Sequence, residues 1–162
     1  MSRVVVPGGK RVFITSATYS GDLKGTTGAV NGLAGGDALC TAAGSAMGGE
    51  WKAWLSDSHT NAFDRIDDFS PWYNLSGKLA FPNKASLRSA PAEAILSQKG
   101  IPDSAWTGTR SGGGKSTDTC SDWTSDVNGT GGTTGIGGGS QWTELGFGDA
   151  CNSTNALICF EQ

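Results

Sequence analysis

Leu33-Ala34-Gly35-Gly36-Asp37-Ala38-Leu39-Cys40-Thr41-Ala42-Ala43-Gly44-Ser45-Ala46-Met47, then Gly48-Gly49, then Glu50-Trp51-Lys52-Ala53-Trp54-Leu55, is the stretch that decides the fold. Leu39, Ala43 and Met47 recur at four-residue spacing with small alanines on the same side. This predicts the main helix over 33–47, stopped by the two glycines, and the alanines imply close packing on a sheet. Residues 51–55 follow as a strand whose tryptophans supply the apolar area that the small helix residues lack.

Working outward, residues 11–15 are short, β-branched and bounded by Pro7-Gly8-Gly9, which predicts a strand. A polar, glycine-containing loop is expected over 19–31. Ser58 is placed to cap a short helix running to Ile66. A hairpin is predicted over 73–81 around Ser76-Gly77, with a helical turn after Asn83. Ile95-Leu96 and Ala105-Trp106-Thr107 are short strand candidates. Ala156-Leu157-Ile158-Cys159-Phe160 is an unbroken apolar run, the pattern of a central strand buried on both faces. The chain between Trp106 and that strand is long, irregular and glycine-punctuated, and loops of this length are functional or stapled.

At 162 residues one domain is expected, and a hydrophobic fraction of 36% implies a lean core. Six tryptophans argue against disorder. No apolar run approaches the length of a membrane span, so no membrane insertion is expected. Residues 1–10 carry no signal-peptide pattern and read as a linker or an added segment, leaving 11–162 as the domain.

The net charge of -3 conceals an asymmetry. All twelve Lys and Arg lie at or before Lys115, alongside nine acids; after Lys115 come six acids and no base. The glycine-rich loop surface therefore has the wrong sign for phosphate neutralisation, which excludes nucleic acid and heparin-like polyanions as partners.

Cys40, Cys120, Cys151 and Cys159 form no Cys-x-x-Cys pair, and the chain has a single His. Two disulfides are the better reading than a metal site, and they imply an oxidising compartment. Three connectivities are open from the residues alone.

A series of motifs then becomes legible: residues 32–40, residues 49–56, Trp106-Thr107-Gly108, Cys120-Ser121-Asp122-Trp123, and the ending from Cys151 to Cys159-Phe160-Glu161. In that order they resemble the endostatin-like group of C-type lectin-like domains, found in basement-membrane collagens and in bacterial surface proteins. The resemblance spans about 11–162. It implies an α+β fold of the C-type lectin-like kind: a mixed, mainly antiparallel sheet, one main helix and long disulfide-stapled loops. It also implies nested disulfides, Cys40 with Cys159 and Cys120 with Cys151. The chain departs from those relatives where ligands are concerned. The histidine-rich zinc site and the basic surface of endostatin have no counterpart, since the one histidine is His59 in mid-chain. The calcium motifs of sugar-binding lectins are absent too.

Arg110-Ser111-Gly112-Gly113-Gly114-Lys115-Ser116 is not a phosphate loop, because Thr109 stands where the first glycine should be. Ser58-His59 lacks the context of an activated nucleophile, and Asp64, Asp67 and Asp68 beside Arg65 read as a solvated face. No catalytic residue, no metal ligand and no cofactor is therefore assigned, and an enzyme is not expected. Asp118, Asp122, Asp126 and Asp149 are oxygen ligands of the kind calcium takes; without regular spacing they read as acidic surface, with calcium the open alternative. Trp51, Trp54, Trp106, Trp123 and Trp142 are expected in the core. Asn74-Leu75-Ser76, Asn128-Gly129-Thr130 and Asn152-Ser153-Thr154 are glycosylation sequons at about chance frequency.

The expected function is non-enzymatic recognition or adhesion outside the cell or at its surface, binding a glycan or protein on another surface. The alternative is a structural, trimerising or capping module at the tip of a bacterial surface fibre, presented as an oligomer. Candidate ligand-binding residues are Arg110, Lys115, Asp122, Asp126 and Asn128 in the loop region 109–141, with Trp72 and Tyr73 as an aromatic pair that would stack on a ligand if exposed, partial burial being the favoured reading. Alanine changes at these loop positions are expected to leave the melting temperature nearly unchanged.

Overall fold

The computed structural model describes residues 9–146 and 148–162. Its strands are β1 (Lys10–Ile14), β2 (Trp51–Ala53), β3 (Trp72–Tyr73), β4 (Leu79–Phe81), β5 (Ala105–Trp106), β6 (Gly131–Gly132), β7 (Thr134–Gly135), β8 (Asp149–Ala150) and β9 (Ala156–Glu161). Its right-handed α-helices are α1 (Leu23–Thr27), α2 (Gly32–Ala43) and α3 (Ala62–Arg65), with 3-10 turns over Ser45–Met47, Lys84–Arg88 and Gly139–Gln141. The fold is thus mixed α+β with few helices.

β9 is buried at all six positions and organises the rest. β1 runs antiparallel along it, pairing Val12 with Phe160 and Ile14 with Ile158. β2 runs antiparallel to its last residues, Trp51 opposite Glu161, while β5 lies parallel to its first, Ala105 opposite Ala156. The main sheet follows the order β4-β3-β1-β9-β5-β7 with β2 branching from β9, and it curls. β6 and β8 form a separate small ribbon. No helix among the described residues is long and apolar enough to cross a membrane.

Strand side chains alternate between faces, so β9 divides the core in two. Ala156, Ile158 and Phe160 enter one cluster with Val12, Ile14, Trp54, Trp72, Phe81 and Trp142. Its rings meet at close range, Trp54 with Trp142 at 4.9 Å and Trp72 edge-on to Phe160 at 5.3 Å. Leu157 and Cys159 enter the other with Phe13, Leu23, Cys40, Trp51, Leu55, Trp106 and Trp123. Buried indoles need an acceptor. Trp54 donates to Thr143 Oγ1 at 2.8 Å and Trp72 to the Glu161 carbonyl at 3.0 Å.

Several expectations are corrected here. The main helix ends at Ala43, with a separate 3-10 turn over Ser45–Met47. Its buried residues are Gly32, Gly35, Gly36 and Cys40, so glycines rather than alanines permit the close approach. A Cβ at Gly35 would stand 2.5 Å from the Leu23 carbonyl oxygen of α1. The expected loop over 19–31 holds α1, because Asp22 Oδ1 caps it through the Gly25 N–H at 2.7 Å. Ser58 caps no helix: α3 begins after Asn61, without a side-chain cap bond. Ile95-Leu96 is no strand, although Ile14 N–H donates to the Leu96 carbonyl. Trp72, weighed as a ligand-binding aromatic with partial burial expected, is fully buried against Phe160. The expected linker over 1–10 lies outside the described residues as far as Gly8, and Lys10 already belongs to β1, opposite Trp72.

The structure joins Cys40 to Cys159 and Cys120 to Cys151, the nested pairing that the resemblance implied. The first ties α2 to β9. Beside it, Arg11 Nη2 meets Glu161 Oε2 at 2.8 Å, both side chains about one-tenth exposed. Arg11 Nε and its backbone N–H also donate to Glu161 Oε1. Burial pushes the Glu161 carboxyl up, but the Arg11 hydrogen bonds and charge hold it below the usual carboxylate range.

Two outcomes follow. Gly35→Ala should destabilise by about 1–2 kcal/mol in denaturant unfolding, because the overpacking against α1 backbone outweighs the helix propensity gained. Because the folded-state pKa of Glu161 is depressed, its contribution is present above the unfolded value and lost as pH falls through the folded one. Melting of Glu161→Gln should therefore lie below wild type at neutral pH, and the gap should close in acid; a gap independent of pH would contradict this account.

Candidate functional site

Thr119-Cys120-Ser121-Asp122-Trp123 makes a turn of the opposite hand to every other helix here. Cys120, Ser121, Asp122 and Trp123 have φ of 49°, 52°, 60° and 63°. For residues with a Cβ this left-handed conformation costs roughly 1–2 kcal/mol each and persists only where surroundings over-determine it. They do so here. Cys120 is tied to Cys151, and Trp123 is fully buried, 5.7 Å from the Trp106 ring, with its indole donating to the Ser56 carbonyl at 2.8 Å. The Trp123 N–H donates to the Thr119 carbonyl at 2.7 Å. Gly32 at the start of α2 lies against the Asp122 carbonyl and Trp123 Cβ, where any Cβ would collide.

The turn aims Asp122 outward. Its carboxylate accepts the Ser58 N–H at 2.8 Å, the Ser58 hydroxyl at 2.7 Å and the Thr119 hydroxyl at 3.1 Å. Burial pushes its pKa up, but the Ser58 hydroxyl and amide, then Thr119 and the nearby His59, hold it below the usual carboxylate range. Of about four acceptor positions on a carboxylate, three are occupied, which leaves one without a partner among the described residues.

Asp122 stands in an open depression of about 590 Å³ walled by Ser58, residues 117–119, Ser121, Asp122 and residues 129–131. Every wall residue is Ser, Thr, Asp or Gly. The wall offers hydroxyls, two carboxylates and glycine backbone, without an aromatic or aliphatic side chain larger than the threonine methyl.

Of the sequence-predicted residues, only Asp122 lines this depression. Asp126 and Asn128 are exposed on the loop between Trp123 and Gly129, outside the wall. Arg110 and Lys115 belong to a separate hairpin that closes with Thr109 opposite Lys115 and packs on α3, where the Gly113 carbonyl accepts the Phe63 N–H. Trp72 is core and Tyr73 half-buried in β3, so this pair is not an exposed aromatic platform. Of the four aspartates weighed for calcium, Asp118 and Asp122 share the wall while Asp126 lies outside it and Asp149 is hydrogen-bonded to Asn155, and no group of three or more His, Cys, Asp or Glu able to hold a metal occurs among the described residues. Sequence reading missed Ser58, Thr117, Thr119 and Ser121. Ser58 is 64 positions from Asp122, so no local pattern could join them. No family model and no curated protein matches this chain.

From the sequence, alanine at Asp122 is expected to leave the melting temperature nearly unchanged, but its carboxylate holds Ser58 to the turn, which argues for a measurable cost. Asp122→Ala should lower stability by about 1 kcal/mol, the net worth of the lost hydrogen bonds at a part-exposed site. The folded pKa is depressed, so this contribution is present above the unfolded value and lost as pH falls through the folded one. The deficit in chemical unfolding should therefore shrink in acid, while Asp126→Ala should show no deficit at any pH.

Proposed function

We propose that the chain is a non-enzymatic recognition domain of the C-type lectin-like, endostatin-like kind, displayed outside the cell, which binds a glycan on another surface through the depression around Asp122. The observation that carries the reading is the wall itself, open, entirely polar and fixed by a disulfide-held left-handed turn. Such a wall suits a hydrated, hydroxyl-rich ligand, because each hydroxyl exchanges water for a directed partner and no apolar pocket is needed. A protein partner would be anchored instead by aromatic or aliphatic side chains in a desolvated pocket. The nested disulfides support the family reading and an oxidising compartment. The Ser58 hydroxyl donates to the Asp122 carboxylate, which holds both groups in place on the wall. Hydrogen bonds of about 1 kcal/mol each give weak single contacts, so multivalent display would supply the avidity.

An array of cell-surface glycans probed with the multimerised domain should show a defined subset bound, unchanged by a calcium chelator. Asp118→Ala and Asp122→Asn should each weaken that binding about fivefold, the equivalent of one hydrogen bond. Binding that survives both substitutions, or an array with no subset above background, would overturn the assignment.

A further inference from the structure

The chain contains two Asn-Gly pairs, Asn31-Gly32 and Asn128-Gly129. The backbone nitrogen that follows an asparagine can attack the side-chain amide carbon, and glycine hinders that attack least because it carries no Cβ and adopts the widest range of backbone angles. The fold treats the two pairs differently. Asn31 caps α2: its Oδ1 accepts the Ala34 N–H at 2.8 Å from an extended backbone, φ −156° and ψ 177°. Gly32 is buried against the Asp122 carbonyl and Trp123. Turning the Asn31 carboxamide onto Gly32 would therefore break a helix cap and press on a packed contact. Asn128 is exposed, and its carboxamide has no hydrogen-bond partner among the described residues. Gly129 has φ +108°, and nothing lies within 4 Å of where its Cβ would be.

We propose that Asn128 is a site of spontaneous modification, converting to aspartate and isoaspartate in the folded protein while Asn31 is protected by its capping role. The Gly129 nitrogen attacks Asn128 Cγ. The new N–Cγ bond forms as the Cγ–Nδ2 bond breaks, and Nδ2 leaves as ammonia with the proton from the Gly129 amide. One water molecule then opens the five-membered imide at either carbonyl, giving an aspartate or a β-linked isoaspartate at position 128. No oxidant or reductant takes part. Either product adds a carboxylate to a loop that already carries Asp126 and has no base after Lys115. The β-linked product also lengthens the backbone directly before Gly129, Thr130 and Gly131, which wall the depression. The inference rests on the two asparagine environments alone and stands whatever the depression binds.

The test is timed incubation of the intact, disulfide-bonded protein at neutral to mildly alkaline pH and physiological temperature, with peptide mapping by mass and by an isoaspartate-specific methyltransferase. The Asn128 peptide should lose its amide, with isoaspartate as one product, and the Asn31 peptide should convert about tenfold more slowly, the penalty of opening a helix cap and its packing. Reduced, denatured protein should convert both at similar rates. Asn128→Gln should remove the acidic species that isoelectric focusing reveals in aged wild type. An Asn128 peptide that stays intact in the fold while converting in the denatured chain, or an Asn31 peptide that keeps pace with it, would overturn the proposal.

Discussion

A strand buried on both faces has no side on which to leave a polar group, so every neighbour it acquires must bring apolar cover or a complete partner for charge. β9 imposes that condition on this molecule. Its alternate residues enter two separate clusters, an aromatic one around Trp54, Trp72 and Trp142 and another beneath α2. The one charge it carries, Glu161, is answered by three donors from Arg11 on the adjacent strand. α2 can lie close enough to cover the second face because Gly36 presents no side chain toward Ala53 and Leu55, Gly35 lets α1 pack on its other side, and Cys40 locks it to Cys159. A lean composition thus suffices, since contacts made at backbone distance need little side-chain volume.

The same helix connects the core to the loops. Its first residue, Gly32, receives the left-handed turn, and its third turn is disulfide-bonded to β9. The second disulfide fixes that turn from the opposite side, through Cys151. Four residues in an unfavourable backbone region are tolerable because a buried tryptophan, a disulfide and a ring of hydrogen bonds each hold one of them or its neighbour. The outcome is a rigid carboxylate in an otherwise irregular region, and rigidity lowers the ordering penalty that a flexible loop would impose on any ligand.

The depression is polar in composition and the core beneath it is aromatic, a separation that allows the loop chemistry to vary without disturbing the packing. The link between the two is narrow. Thr119 and Ser58 contribute to the wall, while their neighbours Cys120 and Ser56 contribute to the packed interior.

Strands β1 to β5 and β9, the main helix and the buried character of five tryptophans were legible in the sequence, because apolar spacing and run length are local properties that survive in the fold, whereas the two-residue strands β6, β7 and β8 carry no such pattern. The terminal run of residues 156–160 announces a two-sided strand, and the motif series around it implied the disulfide pairing. The helix face was misread because small alanines and glycines look alike as a pattern, whereas only the approach of Leu23 and Trp123 reveals which of them must lack a Cβ. The ligand-binding role weighed for Trp72 fails for a related reason: a tryptophan beside Ser70-Pro71 carries no mark of complete burial until Phe160 is brought edge-on to it. The site was half legible. Composition pointed to the polar loop and to Asp122, but the partnership of Asp122 with Ser58, the exclusion of Arg110 and Lys115, and the left-handed turn arise from contacts between segments tens of residues apart. Sequence by itself determined the central strand over 156–160 and the glycine-rich stretch after Trp106 that carries the long loops, since transfer free energy and periodicity act residue by residue. Only the tertiary structure decided which loop side chains share a wall, because closure by β9 and two disulfides, not local preference, sets those distances.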